Sequence, residues 1–141
     1  MNASQSTFNR MRRGEIAPPP VLTLLGGVIR EVDAAAGTLR TDYVGAPSFL
    51  NPAGGIQGGM LCAMLDDLTA SMVDATLPAG CAVATLNLNV SFLRPAAPGP
   101  LQGGATMVRR GREICHVSAT LSQDGKAVAM AVATCKVVRP D

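Results

Sequence analysis

One long amphipathic helix, in a chain otherwise rich in strand patterns, most constrains the fold of this sequence. Between Gly58 and about Ala75, at 100° per residue, the large apolar side chains fill one sector of the helix, joined there only by Ser71. They are Met60, Leu61, Met64, Leu65, Leu68 and Met72. A stripe this broad predicts that the helix lies against an extensive apolar surface. Pro78 and Gly80 end the helix, because neither residue continues a helix well.

Strand patterns lie on both sides of this helix. Two segments precede it and four follow it, namely residues 21–32, 38–44, 84–92, 101–110, 114–122 and 127–138. Gly26-Gly27 predicts a bend in the first strand, residues 94–100 a rigid turn, and Asp124-Gly125 a tight hairpin. The order β-β-α-β-β-β-β predicts an α+β domain, in which an antiparallel sheet ending in a four-strand meander packs on one helix.

The third and the last of these strands carry the clearest face patterns. Residues 84–92 alternate strictly, with apolar side chains from Ala84 to Phe92 on one side and polar side chains from Thr85 to Ser91 on the other. This alternation predicts one buried and one polar face. Residues 127–138 are apolar on both faces, which predicts a central strand whose alanine-rich face lets another element approach closely.

The length of 141 residues suits a single domain preceded by an arm. Residues 1–20 form the predicted N-terminal arm, whose polar part carries Arg10, Arg12 and Arg13 and is typical of a loose segment or a short helix. The three consecutive prolines at 18–20 disfavour helix and favour an extended approach to the first strand. Residues 21–141 then form the folded domain.

The composition excludes several classes of function. Hydrophobic residues make up 48% of the chain and charged residues 16%, which argues against disorder and leaves little polar surface for a monomer. Aromatic residues are 3% and Trp is absent, which argues against nucleic-acid binding. No apolar run reaches the roughly 18 residues of a membrane span, and no secretory apolar region is present at the start. We therefore expect a cytoplasmic homo-oligomer with neither a membrane nor a nucleic-acid partner.

Cysteine and histidine usage argues against metal chemistry. No pair of the four cysteines has a C-x-x-C spacing, and His116 is the one histidine of the chain. Zinc sites of the usual kinds are therefore nearly excluded, and no metal or cofactor is expected. His116 lies on the polar face of a strand with no acid or nucleophile near it in sequence. This position favours a surface or interface histidine over a catalytic one.

The start of the long helix is the first candidate site. The loop from Asn51 leads through Gln57 into Gly58-Gly59, where the absence of side chains lets a ligand reach the backbone. The free N–H groups of a first helical turn and the helix dipole favour an anion or a polarised carbonyl oxygen. Such a start is a candidate oxyanion site. The alternative is a tight loop packed against the sheet.

Asp66 is the second candidate. Small and mostly apolar residues surround it on its helix face, and a carboxylate there is costly to desolvate. It could serve as a general base or a nucleophile. The alternative is a solvated helix face, which by helical geometry Asp67 and Asp74 fit better. The small residues around Asp66 also suggest that a second helix, from a partner subunit, packs there.

Together these motifs resemble one known family. They are Asn51, then Gln57-Gly58-Gly59 with Asp66, then Asn89-Val90-Ser91-Phe92-Leu93-Arg94-Pro95, then Arg110-Gly111-Arg112. Over residues 21–138 the chain resembles the hotdog-fold acyl-CoA thioesterases of the PaaI-like, phenylacetate-degradation branch, to which 4-hydroxybenzoyl-CoA thioesterases are related. The resemblance implies a hotdog fold, with an antiparallel sheet wrapped around one long helix. It also implies hydrolysis of an acyl-CoA thioester without a cofactor.

The resemblance implies a role for each matching residue. Asp66 corresponds to the carboxylate that acts as base or nucleophile, and the Gly59 N–H, with Gly58 beside it, to the group that polarises the thioester carbonyl. Asn51 corresponds to an asparagine near the site, and Thr85 to a hydroxyl residue that helps to hold the attacking water. In this family the site lies between subunits of a dimer or tetramer, so Asp66 and Gly59 would come from different chains.

The acyl-CoA partner adds further expectations. Arg94 and Arg112 are the preferred contacts of the CoA phosphates, because both lie at strand ends or turns. An apolar pocket for the acyl group is expected from Phe49, Leu50, Met60 and Met64.

One departure from the family pattern concerns Gln57, which stands where the family usually has histidine. Glutamine can donate a hydrogen bond but cannot titrate, so the departure predicts an altered rate or substrate choice. It also keeps open a second function, a hotdog protein that binds acyl-CoA without hydrolysing it. A purely structural oligomer module is a third. The presence of Asp66, Asn51 and Thr85 together argues against both alternatives.

Overall fold

The computed structural model describes residues 5–141, and it contains one sheet of six antiparallel strands in the order β1-β2-β4-β5-β6-β3. The helices are α1 (Thr7–Arg12), α2 (Pro20–Leu24) and α3 (Gly58–Asp74), with a 3₁₀ turn at Pro47–Phe49. The strands are β1 (Val28–Asp33), β2 (Thr38–Gly45), β3 (Ala82–Phe92), β4 (Gly99–Arg110), β5 (Ile114–Gln123) and β6 (Lys126–Val138). The α+β architecture predicted from the element order is confirmed.

The long helix α3 forms the centre of the core. Its apolar stripe is buried against the sheet, and α3 packs on β2, β3, β4, β5 and β6. Met60 alone among the six predicted stripe residues is half-buried, because it lies in the first turn of the helix. Opposite the helix, β5 and β6 supply small buried side chains, among them Ala119, Ala131 and Ala133. These alanines let the helix lie close to the sheet, as the face pattern of the last strand predicted.

The predicted four-strand meander is wrong for its first strand. β4, β5 and β6 do form a meander, and the Asp124-Gly125 hairpin is confirmed by the Gln123–Lys126 pair. β3, however, pairs with β6 at the edge of the sheet, while β4 pairs with β2. Residues 93–98 therefore cross between strands that are not neighbours. A proline-rich segment of this length suits such a crossover better than a tight hairpin.

The prediction of a strand over residues 21–32 is wrong for its first part. Residues 20–24 form α2, because proline is well suited to the first position of a helix, where its missing N–H is not needed. Leu22 and Leu25 are buried by this short helix. The chain then turns at Gly26, whose φ of 62° favours glycine, and β1 begins at Val28.

The N-terminal arm packs on the domain. Ser6 caps α1 by accepting a hydrogen bond from the N–H of Asn9, and Phe8 is only 4% exposed. The Nδ2 of Asn9 donates to the carbonyl of Ala75 at the end of α3, at 3.0 Å. Of the two alternatives predicted for this segment, residues 7–12 adopt the short helix. Residues 1–4 of the predicted arm lie outside the described residues.

A β-bulge reverses the faces of β3. Thr85 pairs with Cys135 and Asn87 pairs with Thr134, so Leu86 is the additional residue and its side chain is 57% exposed. Before the bulge the odd-numbered Thr85 points toward α3, whereas after it Leu88 and Val90 pack against the core. The strict alternation predicted for this strand is therefore wrong at its start, and the bulge brings Thr85 to the helix.

Candidate active site

Asp66 lies in the middle of α3 on the flank that faces β3. It is exposed in the single chain, and its Oδ1 accepts a hydrogen bond of 2.7 Å from the Oγ1 of Thr85. The bulge at Leu86 makes this contact possible, because without it Thr85 would share the face of the residues that point away from the helix. The structure thus brings together two of the predicted site residues and leaves the second carboxylate oxygen of Asp66 open.

The neighbouring carboxylates are less exposed than Asp66, contrary to the expectation that Asp67 and Asp74 suit the solvent better. Asp67 is half-buried and accepts a 2.5 Å hydrogen bond from the hydroxyl of Tyr43. Burial raises the pKa of Asp67, the charge of Asp66 raises it further, and the bond from Tyr43 opposes the shift. Asp74 accepts a 2.6 Å bond from the N–H of Phe8, and burial raises its pKa as well. The helix is turned so that these two residues face β2 and the arm.

Sequence reasoning missed the bond between Tyr43 and Asp67. Tyr43 is 1% exposed, and burial is the main cause that raises the pKa of its hydroxyl. A signal was present, because a buried tyrosine hydroxyl usually finds a hydrogen-bond partner, and Tyr43 is the one tyrosine of the chain. The sequence of α3 contains three carboxylates that could accept this bond, and only the folded structure shows that Asp67 is the partner of Tyr43.

Asn51 organises the loop before α3. Its Oδ1 accepts hydrogen bonds from the N–H groups of Ala53 and Gly55 at 3.0 and 3.1 Å, and its own N–H donates to the carbonyl of Gly55. These bonds close a compact turn that sets the position of the helix start. Asn51 therefore acts within this chain as a support of the loop. The N–H of Gln57 donates to the carbonyl of Phe49 at 2.8 Å, whereas its side chain is exposed and makes no capping bond.

The first turn of α3 presents open backbone donors. Within the described residues no acceptor takes the N–H groups of Gly58 and Gly59, as is usual for a first turn without a side-chain cap. A Cβ at Gly58 would lie 3.0 Å from the ring of Phe92, so the helix start packs closely against the end of β3. A Cβ at Gly59 would meet nothing within 4 Å, so this turn faces open space.

One cavity brings several of the predicted residues together. It has a volume of about 470 Å³ and is lined by Asn51, Gly58, Phe92 and Arg94, among others. Arg94 is exposed and donates to the carbonyl of Ala127 at 2.8 Å, which holds its guanidinium at the rim. Arg112 lies apart, in the turn between β4 and β5, where it lines a second cavity of about 480 Å³ with Arg109 and His116.

Two predicted pocket residues belong to the core. Met64 is fully buried under the sheet and Phe49 is 7% exposed, so neither has a free surface for an acyl group. Met60 packs against the same core, and Leu50 is exposed. The expectation of an apolar pocket is therefore wrong for Phe49 and Met64. Met64 belongs to the stripe of α3 that packs against the sheet, and Phe49 is buried at the end of the 3₁₀ turn.

Asp66 and the helix start cannot act on one carbonyl within a single chain. Asp66 follows Gly59 by seven positions, a rise of roughly 10.5 Å along a helix. A base and an oxyanion donor must each lie about 3 Å from the reacting atoms.

The described residues hold no group of three or more His, Cys, Asp or Glu that could bind a metal ion. None of their helices is long and apolar enough to cross a membrane.

Comparison with known families identifies the family of the chain. The family model described as "Acyl-CoA thioesterase N-terminal domain" matches residues 46–136, more than half of the chain. The chain therefore belongs to this family of thioester hydrolases, and its sheet wrapped around one helix is the hotdog fold. No curated protein matches the chain.

Solved structures give the same result. The chain is 60% identical to a phenylacetic acid degradation-related protein from Ralstonia eutropha JMP134, over 92% of this chain and 98% of that one, with a TM-score of 0.90. A Bacillus halodurans protein crystallised with CoA is 22% identical, over 92% and 85%, with a TM-score of 0.79. The Escherichia coli PaaI protein from the phenylacetic acid degradation operon is 20% identical, over 95% and 94%, with a TM-score of 0.81. The last two share the fold, and the predicted PaaI-like recognition is confirmed.

Proposed function

We propose that this protein hydrolyses an acyl-CoA thioester to the free acid and CoA, with Asp66 as the reactive carboxylate. The observation that carries the proposal is the hydrogen bond from Thr85 to an otherwise exposed Asp66, set on the open flank of α3. A carboxylate with one oxygen anchored and one open is suited to activate water or to attack directly. Membership of the thioesterase family supports a thioester as the bond that is broken.

The proposed chemistry needs no metal or cofactor. The thioester carbonyl oxygen docks on the open N–H groups of Gly58 and Gly59, with Gly59 as the principal donor. Water attacks the carbonyl carbon, Asp66 takes its proton, and negative charge develops on the oxygen at the helix start. The C–S bond then breaks, and the proton passes to the leaving CoA sulfur. If Asp66 attacks instead, an acyl-Asp66 anhydride forms with release of CoA, and water hydrolyses it.

Two protomers are needed to assemble this site. Gly59 and Asp66 of one chain lie roughly 10.5 Å apart along α3, too far to share one carbonyl. β3 has a free edge along Ala82–Phe92, beside both Thr85 and the helix start, and the exposed Leu86 adds apolar surface. Antiparallel pairing of two β3 edges would set Asp66 of one protomer toward Gly59 of its partner. We propose a homodimer as the working unit, two of which form a homotetramer, in the cytoplasm.

Basic residues at the rim suit the CoA phosphates. Arg94 shares a cavity with Gly58, and its backbone-anchored guanidinium is held in place for a phosphate. Arg112 lies with Arg109 in another cavity. In a single chain these two candidate contacts belong to different sites, so an assembly of protomers would be required for both to touch one CoA molecule. The CoA-bound Bacillus halodurans neighbour supports CoA as the carrier.

Hydrolysis of a panel of acyl-CoAs, followed by release of free thiol, tests the proposal. Turnover that Asp66→Asn abolishes would support it, and binding of acyl-CoA without turnover would favour the non-catalytic alternative. That alternative rests on Gln57, whose side chain at the helix start is exposed and makes no capping bond.

Sedimentation tests the proposed assembly. A single species near 14.5 kDa at micromolar concentration would contradict a site shared between protomers.

A further inference from the structure

A partly open cavity lies beneath the N-terminal arm and is distinct from the cavity at the helix start. It has a volume of about 380 Å³ and is roofed by Phe8 and Met11 of α1. Its floor is the flank of α3 that carries Ala70, and its walls include Ile29 and Val83. This volume falls within the range of roughly 300–1,000 Å³ typical of small-molecule sites. The space, hereafter the arm cavity, has a lining that is mainly apolar.

The arm cavity lies next to the reactive carboxylate. Ala70 follows Asp66 by one helical turn, a rise of roughly 6 Å. Val83 precedes Thr85 by two residues on the same face of β3, before the bulge, a distance of roughly 7 Å. Both walls of the cavity therefore continue the two elements that carry the Asp66–Thr85 pair. A thioester at Asp66 would have its acyl group within one turn of this space.

The roof is a fixed part of the fold. The N–H of Phe8 donates to Asp74 at 2.6 Å, and the Nδ2 of Asn9 donates to the carbonyl of Ala75 at 3.0 Å. Phe8 itself is buried. The cavity is thus shaped before a ligand arrives, which reduces the cost of ordering on binding.

The polar groups of the lining define what the cavity excludes. Asp67 and Asp74 both contribute to it, and each already accepts a hydrogen bond from within the chain, from Tyr43 and from the N–H of Phe8. Among residues 5–141, no lysine or arginine lines the cavity. An acyl group that ends in a carboxylate would lose its hydration, find no cation, and meet two acidic side chains.

We propose that the arm cavity receives the acyl group of the substrate and selects uncharged, apolar acyl groups over those that end in a carboxylate. This inference rests on the proposed function, because it takes Asp66 as the position of the thioester. Under it Ala70 and Met11 determine which acyl groups fit, as residues of the floor and of the roof. The arm, outside the matched family segment of residues 46–136, would then contribute to specificity.

Binding measurements on the Asp66→Asn variant test the cavity separately from turnover. Titration calorimetry compares free CoA with acetyl-, butyryl-, hexanoyl- and adipoyl-CoA, the last two having six-carbon acyl groups without and with a terminal carboxylate. Affinity should rise about fourfold for each methylene buried, up to hexanoyl-CoA. Adipoyl-CoA should bind at least about tenfold more weakly than hexanoyl-CoA. Equal affinity for these two, or no increase with chain length, would overturn the proposal.

Two further substitutions place the acyl group. Adding Ala70→Leu to Asp66→Asn puts three more carbon atoms into the floor of the cavity. The increase in affinity from butyryl- to hexanoyl-CoA should then disappear, while the affinity for free CoA stays unchanged. Ala36→Leu, in the exposed turn between β1 and β2, is the matched control and should keep the full gain. Met11→Ala opens the roof and should extend the gain to octanoyl-CoA. A full increase in affinity from butyryl- to hexanoyl-CoA in the Ala70→Leu variant, with no extension to octanoyl-CoA in the Met11→Ala variant, would show that the acyl group lies elsewhere. Wild-type protein without turnover would instead contradict the proposed hydrolysis, independently of these affinities.

Discussion

The two flanks of α3 carry neighbouring carboxylates in opposite surroundings. On the flank toward β3, Asp66 is exposed and accepts one hydrogen bond from Thr85. On the flank beneath the arm, Asp67 and Asp74 are half-buried and bonded to Tyr43 and to the N–H of Phe8. One residue step turns a helix by 100°, so adjacent carboxylates need not share a role. The first flank keeps a carboxylate available to a substrate, whereas the second uses carboxylates to fasten β2 and the arm to the helix.

The largest expected difference between the flanks is in catalysis. Asp66→Asn keeps the shape and the bond from Thr85 but removes the base, so kcat should fall by roughly 10²–10⁴-fold, the range for loss of a general base. Asp67→Asn is the matched control on the other flank, and its Oδ1 can still accept the bond from Tyr43. Because Asp67 also lines the arm cavity, both variants are compared on acetyl-CoA, whose two-carbon acyl group is too short to fill that cavity. With this substrate Asp67→Asn should change kcat little, and steady-state rates of thiol release would measure both.

Equal decreases of kcat in the two variants would contradict the proposed difference between the flanks, because the carbonyl site would then be wrongly assigned to the β3 flank. An unchanged rate in Asp66→Asn would have the same consequence. Circular dichroism of each variant would separate these outcomes from a loss of fold.

Removal of the partner of Asp66 is expected to have the next largest effect. Thr85→Val keeps the shape of the side chain and removes the 2.7 Å hydrogen bond. Bonds to charged groups contribute roughly 1.5–3 kcal/mol, so kcat should fall by roughly 10–100-fold. Thr85→Ser, which retains the hydroxyl, should recover most of the rate. Thr106→Val, at an exposed position of β4, is the control and should leave the rate unchanged. A full rate in Thr85→Val would show that the bond to Asp66 does not support catalysis.

The sequence predicts the helix and most strands because their patterns are local. The apolar stripe of α3 and the alternation of β5 depend on neighbouring residues alone, and both agree with the structure. The pairing of β3 with β6 depends on how the sheet closes around α3, a non-local property that strand order along the chain does not determine. Likewise Leu86 looks like a regular strand residue, and only its pairing reveals the bulge.

The candidate site divides in the same way. Family resemblance pointed to Asp66 and Thr85, and the structure brings these two together although the alternation placed Thr85 on the polar face. The roles of Tyr43 and of the arm could not be derived, since each depends on a contact between residues far apart in sequence. Phe49 and Met64 were misplaced because apolar residues of a core and of a pocket have the same composition.

Gln57 extends the comparison to the start of the helix. Its exposed side chain makes no capping bond, so its contribution should be one neutral hydrogen bond to the substrate or loop. Gln57→Ala should therefore lower kcat by roughly tenfold, near the ~0.5–1.5 kcal/mol of such a bond, with the fold intact. Gln57→His should add a titration to the pH–rate profile near the ordinary histidine pKa of about 6.5.

Two results would change the assignment of roles at the helix start. A loss in Gln57→Ala as complete as in Asp66→Asn would make Gln57 part of the chemistry. A wild-type protein that binds acyl-CoA without turnover, combined with hydrolysis by Gln57→His, would establish the binding-protein function instead.

The smallest expected difference concerns stability against pH on the arm flank. Burial raises the pKa of Asp67, so the native state holds a proton that the unfolded chain, with an aspartate pKa of about 3.9, has already released. The stability that Asp67 contributes is therefore complete at low pH and is lost as the pH rises through its raised native pKa. Asp67→Asn cannot lose a proton. Its melting temperature relative to wild type should rise from about pH 3.5 upward and level off once Asp67 is ionised in both the native and the unfolded state.

Tyr43→Phe removes the hydrogen bond that opposes the rise in the pKa of Asp67, so in that variant the same loss of stability should extend to higher pH. A constant offset between Asp67→Asn and wild type from pH 3.5 to pH 8 would show that the Asp67 carboxylate is as well solvated as an exposed one, and the contrast between the two flanks of α3 would fail.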